Sequence, residues 1–512
     1  MLFNSHLFIF VFLPIFYLLY LVIRIIDYKF KQNLFLGLII LFSLFFYAYW
    51  DYNYLFIIIA SVIINFISIR YVIKKNIFIL TLVIFFNIGL LFYYKYFDVL
   101  IGFVTNNDVN FNQIIIPLGI SFFTFQQIGY LIELYYDKKK KLNFLKYFAF
   151  VIFFPQLIAG PILKSQEFFP KIYDSFKDKK LLRNLLIGLI IFFIGLSKKV
   201  LIADNLSVYV NNYYNIAAIS ENLNFYESWL ASIGYLFQLY FDFSGYSDMA
   251  VGIAKIFGLN LPWNFNSPLK KTSIQHFWNC WHITLTRFTT SYIFTPIIIL
   301  FNKYNLNFRI SILFAVIVTF TLIGVWHGAG ITFLIFGILH ATAYLVNKSY
   351  SFIVSELKLK FLQAKIFNYL YWLITFLFVC FSFVFFRSEN LQVAKNIAFN
   401  MLNFKSLTFP AFFFNNKYIL EFLSFFNAIK IETYIFQNHN FISTIFISFL
   451  IIILFPNTKR IAEFIDECFY IEKPKEIIKI LILYIFLFFL SFLIIASILS
   501  LNNEVVFLYY QF

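Results

Sequence analysis

The sequence predicts an all-α, polytopic membrane protein, and three observations carry that prediction. Only 12% of the 512 residues are charged and 62% are hydrophobic, with a mean hydropathy of +0.82, whereas soluble domains carry about 25% charged residues. Apolar runs near the bilayer-spanning length of about 20 residues recur along the chain. Lys and Arg gather in alternate short loops between these runs. No soluble fold could bury this much apolar surface.

Taken in order, the predicted spans are 7–23, 34–50, 53–69, 76–94, 113–134, 184–202, 227–242, 309–325, 329–347, 366–386, 441–456 and 477–499. That makes about 11–12 transmembrane helices. The stretches 145–163, 247–258 and 274–300 are apolar but broken, and read as re-entrant or interfacial pieces. The first run lacks a basic region before it and a small-residue cleavage site after it, so it reads as a retained span. No internal repeat and no appended soluble catalytic domain is expected.

The loop charges predict orientation. Arg24, Lys29 and Lys31 follow the first span, Arg70, Lys74 and Lys75 the third, and Lys138–Lys141 the fifth. Lys171 to Arg183, Lys270 with Lys271, and Lys459 to Lys475 continue the pattern, while 51–53, 99–112 and 203–226 hold no Lys or Arg. The positive-inside rule then puts both termini outside and the basic loops in the cytoplasm. The same clustering accounts for the net charge of +16 without nucleic acid. The run at 138–141 reads as a solvated anchor that could also meet anionic lipid or a phosphorylated donor.

Three cysteines, Cys280, Cys380 and Cys468, are too few and scattered for a disulfide framework or a zinc site. Cys280 reads as a small buried hydrophobe rather than a reactive thiol. No nucleotide-binding glycine loop, HExxH or GxSxG is present. Metal and serine-hydrolase chemistry therefore lack support.

Four segments could carry chemistry. Pro117 and Gly119 permit a kinked, closely packed start to the fifth span. Pro155, Gly160 and Pro161 break the helix around Gln156, whose amide could orient a substrate or satisfy the freed backbone. Asp242 and Asp248, with Ser244 between, could do acid–base work or serve as caps and turns. Two Trp-His pairs, Trp281-His282 and Trp326-His327, are the strongest signal.

An ionised side chain at the bilayer centre costs about 2.5–3.5 kcal/mol, so a histidine there is expected to face a protein cavity and work in it. Burial keeps imidazole neutral and able to accept a proton. The pairs suggest one buried site built from two helices. Successive residues point roughly 100° apart on a helix, so each Trp is expected to pack a neighbouring helix rather than its own His. Gly328 and Gly330 are expected to leave room for a ligand or another backbone. His276 and His282, six apart, make a poor metal pair, and His340 reads as structural.

These segments resemble the membrane-bound O-acyltransferase superfamily, in its bacterial alginate and peptidoglycan O-acetyltransferase branch. The landmarks occur in family order: PLGISFFTFQ (117–126), FPQLIAGPI (154–162), LYFDFSGYSDMAVGIAKIFGLNLPWNFNSP (239–268), FWNCWHITLTRF (277–288) and IGVWHGAGITFLIFGILHA (323–341). The chain departs from that branch at Asn279-Cys280 (often Arg-Arg), Thr290-Ser291 (often Arg-Asp) and His276 (often Asp). These changes alter the charged lining of the acceptor side and spare both histidines.

The resemblance implies one integral membrane domain over 1–512, with a catalytic region at about 113–345 and helices ringed around a funnel and tunnel. It implies acyl transfer, most simply of acetyl, from acetyl-CoA as substrate, with no permanently bound cofactor and no metal. It implies His327 and His282 as catalytic residues, with Trp281, Trp326, Gly328, Asp242, Ser244 and Gln156 in support. The final acceptor would be a hydroxyl on a surface glycan such as peptidoglycan or an alginate-like polymer. An exported SGNH-type partner would deliver the group, and the chain would sit in the bacterial inner membrane. D-alanyl transfer is the alternative enzyme reading. A transporter without covalent chemistry, or a structural subunit of a glycan-export complex, is the alternative class.

Overall fold

Long apolar runs without competing hydrogen-bond partners form helices in lipid, because every backbone polar group must be satisfied within the segment. The computed structural model describes residues 1–26, 28–105, 116–137, 143–158, 160–177, 180–219, 223–404, 408–409, 429–430, 439–469, 477–501 and 508. The helices in order are α1 (Leu13–Ile25), α2 (Tyr28–Ala48), α3 (Leu55–Val72), α4 (Ile77–Thr105), α5 (Ile120–Tyr136), α6 (Phe144–Ile152) and α7 (Phe154–Leu157). Next come α8 (Ser165–Lys177), α9 (Leu181–Ser197), α10 (Asp204–Ile219), α11 (Phe225–Ile256), α12 (Ile274–Trp278), α13 (Ile283–Thr289) and α14 (Thr295–Lys303). The last are α15 (Phe308–His327), α16 (Ile331–Glu356), α17 (Phe367–Arg387), α18 (Leu391–Leu402), α19 (His439–Leu454), α20 (Thr458–Cys468) and α21 (Ile477–Leu499). A two-residue parallel pair, Thr408–Phe409 with Ile429–Lys430, is the only strand pairing among the described residues.

Among the described residues ten helices are long and apolar enough to cross a membrane, or eleven if α19 and α20, bent by 52°, make one span. This agrees with the expected class of an all-α polytopic membrane protein with about 11–12 spans. The predicted span at 113–134 begins outside the described residues, and its helix, α5, has 17 residues. The segment 247–258 is not re-entrant. It is the second half of α11, a continuous 32-residue helix in which Asp242, Ser244, Ser247 and Asp248 dilute the apolar signal. Within 274–300 the break falls only at 279–282. From Ile283 to Lys303 the chain is helical and apolar enough to cross. The lysine run 138–141, Lys179, Lys473 and Lys475 lie outside the described residues.

The chain packs as two compact units that interleave in sequence. The first comprises 1–197, 243–264 and 458–512. Here Gly119 starts α5 at φ +67, and a Cβ on it would run into the carbonyl oxygen of Leu157. The helix break expected near Pro155 is present, since α6 ends at Ile152 and α7 at Leu157. Two of its freed groups have side-chain partners: Ser43 Oγ accepts from the Phe154 N–H (3.1 Å), and the Gln126 and Gln156 amides both donate to the Phe150 carbonyl (2.8 and 2.6 Å). Asn65 and Asn87 exchange amide hydrogen bonds across α3 and α4 (2.8 and 3.2 Å). In lipid such interhelical bonds contribute about 0.6 kcal/mol each on average.

The second unit comprises 198–242 and 265–457. Its helices start on side-chain caps. Ser273 accepts from the His276 N–H, Asn307 from Arg309 and Asn390 from Val393, each worth about 1 kcal/mol. α15 and α16 form an antiparallel hairpin whose turn is Gly328–Gly330. Close approach needs glycine on both sides, since a Cβ on Gly337 would lie 2.5 Å from the Phe320 carbonyl oxygen.

Candidate active site

His327 is the last residue of α15 and is 6% exposed. The sequence reading placed Trp326 away from it, and the structure corrects this. The Trp326 and His327 rings meet at 4.7 Å between centroids, at 65°. The helix ends here and Gly328 is extended, so the terminal side chain is not bound by the geometry of a continuing helix. Phe386, at the end of α17, covers another side of His327 at 4.9 Å.

His282 is 1% exposed and does not stand on a helix, contrary to the two-helix expectation. It occupies the turn between α12 and α13 with φ +43 and ψ +54. A non-glycine residue in such a conformation costs about 1–3 kcal/mol and persists only where the surroundings over-determine it. Those surroundings are specific. The Asn266 N–H donates to the Cys280 carbonyl (3.0 Å), and the Thr286 N–H donates to the His282 carbonyl (3.1 Å). Thr286 Oγ1 donates to the Trp278 carbonyl (3.2 Å).

The two histidines share a neighbour. The Trp326 ring lies 6.3 Å from His282 and 4.7 Å from His327, so the imidazoles are at most about 11 Å apart. Trp281 packs elsewhere, as expected, on Phe277 (5.4 Å), Phe265 (5.1 Å) and Phe383 (5.3 Å). Gly328 does not hold space for a ligand. A Cβ there would run into the Phe333 ring, which itself packs on Phe386 at 5.2 Å.

The remaining candidates divide. Asp242 lies in the middle of α11, so it is neither a cap nor a turn residue. Its carboxylate pairs with Lys199 Nζ at 2.7 Å, and Lys199 also reaches Asp204 at 2.6 Å. Sequence reasoning missed Lys199. It stands at the end of an apolar run beside Lys198, where a lysine ordinarily reads as a surface anchor, yet it is 2% exposed. Asp248 accepts from Thr458 Oγ1 (2.6 Å). Ser244 and Gln156 belong to the first unit. Ser244 is buried within α11, and Gln156 uses its amide on the Phe150 carbonyl. Among the described residues no group of three or more His, Cys, Asp or Glu could hold a metal.

An all-helical, multi-pass membrane protein that buries two imidazoles around one indole is the class of molecule in hand. The model of the MBOAT, membrane-bound O-acyltransferase family matches residues 136–388, and the chain belongs to that family. It is similar to the peptidoglycan O-acetyltransferase of Helicobacter pylori, at 38% identity over 80% of this chain and 81% of the relative. It is also similar to the probable alginate O-acetylase of Pseudomonas aeruginosa, at 32% over 79% of this chain and 75% of the relative. The teichoic acid D-alanyltransferase of Bacillus subtilis is 30% identical over 53% of this chain and 69% of the relative. The chain is therefore an O-acyltransferase, and the transporter and export-subunit readings are set aside.

Proposed function

We propose that the chain moves an acetyl group from cytoplasmic acetyl-CoA to a hydroxyl destined for a cell-surface glycan, peptidoglycan or an alginate-like polymer. The observation that carries this reading is that His282 and His327 are both buried against the same Trp326 ring. The names of the peptidoglycan and alginate relatives, which match over about four-fifths of the chain against 53% for the D-alanyltransferase, favour acetyl over D-alanyl. The chain would work in the inner membrane of a bacterium with its termini outside, and an exported SGNH-type partner would carry the group to the polymer.

In this reading His327 is the general base. It takes the hydroxyl proton as the acceptor oxygen bonds to the thioester carbonyl carbon. The C–S bond then breaks, and the proton passes from His327 to the departing sulfur, giving an ester and free coenzyme A. A positioned base of this kind contributes roughly 10²–10⁴-fold. His282 donates a hydrogen bond to the oxyanion that forms on the carbonyl oxygen, an interaction that strengthens only as charge develops. Trp326 walls the space between them, and the Phe386 and Phe333 rings exclude water that would hydrolyse the thioester.

The test is acetyl ester content of isolated surface glycan in cells expressing the wild type or His327→Ala at matched membrane levels. Loss of the ester in the variant supports the reading, and unchanged ester overturns it.

A further inference from the structure

The sequence sets His340 aside as structural, yet its surroundings tie it to both histidines of the proposed site. It is fully buried in α16. The Trp278 indole N–H donates to its Nδ1 at 3.1 Å. Indole can only donate, so Nδ1 carries no hydrogen and the ring proton sits on Nε2. Ser382 Oγ lies 3.0 Å from Nε2, while the Ser382 hydroxyl hydrogen goes to the Val379 carbonyl at 2.9 Å. The whole chain of donors is thereby fixed: Trp278 to His340, His340 to Ser382, Ser382 to Val379. A proton added at Nδ1 would face the indole N–H, so this imidazole is no proton carrier.

We infer that His340 is a positioning residue that hangs α12 from α16 and α17 and so sets where His282 stands relative to His327. On one side it grips Trp278, four residues before His282, whose carbonyl is tied to Thr286 just beyond the strained turn. On the other side the Phe336 ring lies 4.5 Å from His340 and 6.5 Å from His327. Phe277, also on α12, lies nearly parallel to the His340 ring at 6.4 Å. The inference rests on the acyl-transfer reading above, since what it positions is that reading's pair of histidines.

The experiment uses the full chain in native membrane vesicles and follows coenzyme A thiol released from acetyl-CoA, with matched amounts of folded protein. His340→Phe keeps an aromatic ring but neither nitrogen, and Trp278→Phe keeps an aromatic ring, smaller than indole, without the donor. Displacement of a reacting group by an ångström costs about 100-fold, so each variant is expected to lower kcat by about 10- to 100-fold. KM for acetyl-CoA and the midpoints of the pH profile should stay in place. The double variant should be no worse than the poorer single one, and His340→Asn, whose amide oxygen can accept from Trp278, should recover part of the rate. Should His340→Phe fail to accumulate, Trp278→Phe and His340→Asn are judged by the same criteria. Wild-type kcat in the folded variants, or a moved pH profile, overturns the inference. His327→Ala run in parallel separates the two claims: if it is inactive while His340→Phe and Trp278→Phe are fully active, only the positioning role fails. If His327→Ala is itself active, the acyl-transfer reading fails first.

Discussion

Lys199 and Asp242 form a 2.7 Å ion pair between the π turn Lys198–Ala203 and the middle of α11, and Asp204 completes the group at 2.6 Å from the same ammonium. Neither partner of the pair is more than 2% exposed. Removing one partner of a buried pair costs about 3–5 kcal/mol, because the other charge is left uncompensated. Lys199→Met should therefore lower thermal stability in detergent sharply, with activity lost in proportion to folded protein. Adding Asp204→Asn and Asp242→Asn to that variant should restore much of the stability. Equal stability of Lys199→Met and the wild type would show the pair to be dispensable.

Gly188 and Gly252 let α9 and α11 touch, since a Cβ on Gly188 would lie 2.7 Å, and one on Gly252 2.6 Å, from the other glycine's carbonyl oxygen. Gly252→Val should destabilise by at least about 1–3 kcal/mol through overpacking. Gly37, in α2, has nothing within 4 Å of its missing Cβ, so Gly37→Ala should be neutral or stabilising by up to about 1 kcal/mol. Melting of the two variants side by side checks the contrast.

Gly328→Ala places a methyl group where the Phe333 ring now sits. Phe333 must move, and with it Phe386 and the cover over His327. The expected result is a drop in kcat of about 10- to 100-fold with the protein still folded. Phe333→Leu in the same chain should recover part of it. A Gly328→Ala enzyme with full activity would mean that the aromatic cover does not shape the site.

His282 has two separable properties, a left-handed backbone and an imidazole. Asparagine tolerates that backbone better than alanine and keeps a donor. Loss of an oxyanion donor costs about 10²–10³-fold in kcat, so His282→Ala should fall by that much and His282→Asn by less. Identical losses in the two variants would point to the ring alone.

Much of this was legible before any coordinates. Apolar runs and loop charges predict the helical membrane class, because lipid leaves the backbone few alternatives, and the Pro155 break and the burial of both Trp-His pairs follow from local chemistry. What was not legible depends on partners distant in sequence. Lys199 falls inside the predicted span 184–202, and nothing local to it shows that Asp242 of α11 is its partner. The continuity of α11 through Asp242 and Asp248 is hidden because their partners, Lys199 and Thr458, lie far off in the chain. Trp326 meets its own neighbour in the last turn of α15, a contact that helix periodicity does not foretell.

The most direct measurement is transfer of label from radioactive acetyl-CoA, supplied on the cytoplasmic face of membrane vesicles containing the full chain, into base-labile esters of the envelope glycan. The account predicts label in the wild type and none above background with His327→Ala at equal protein. Equal label in the two would contradict it.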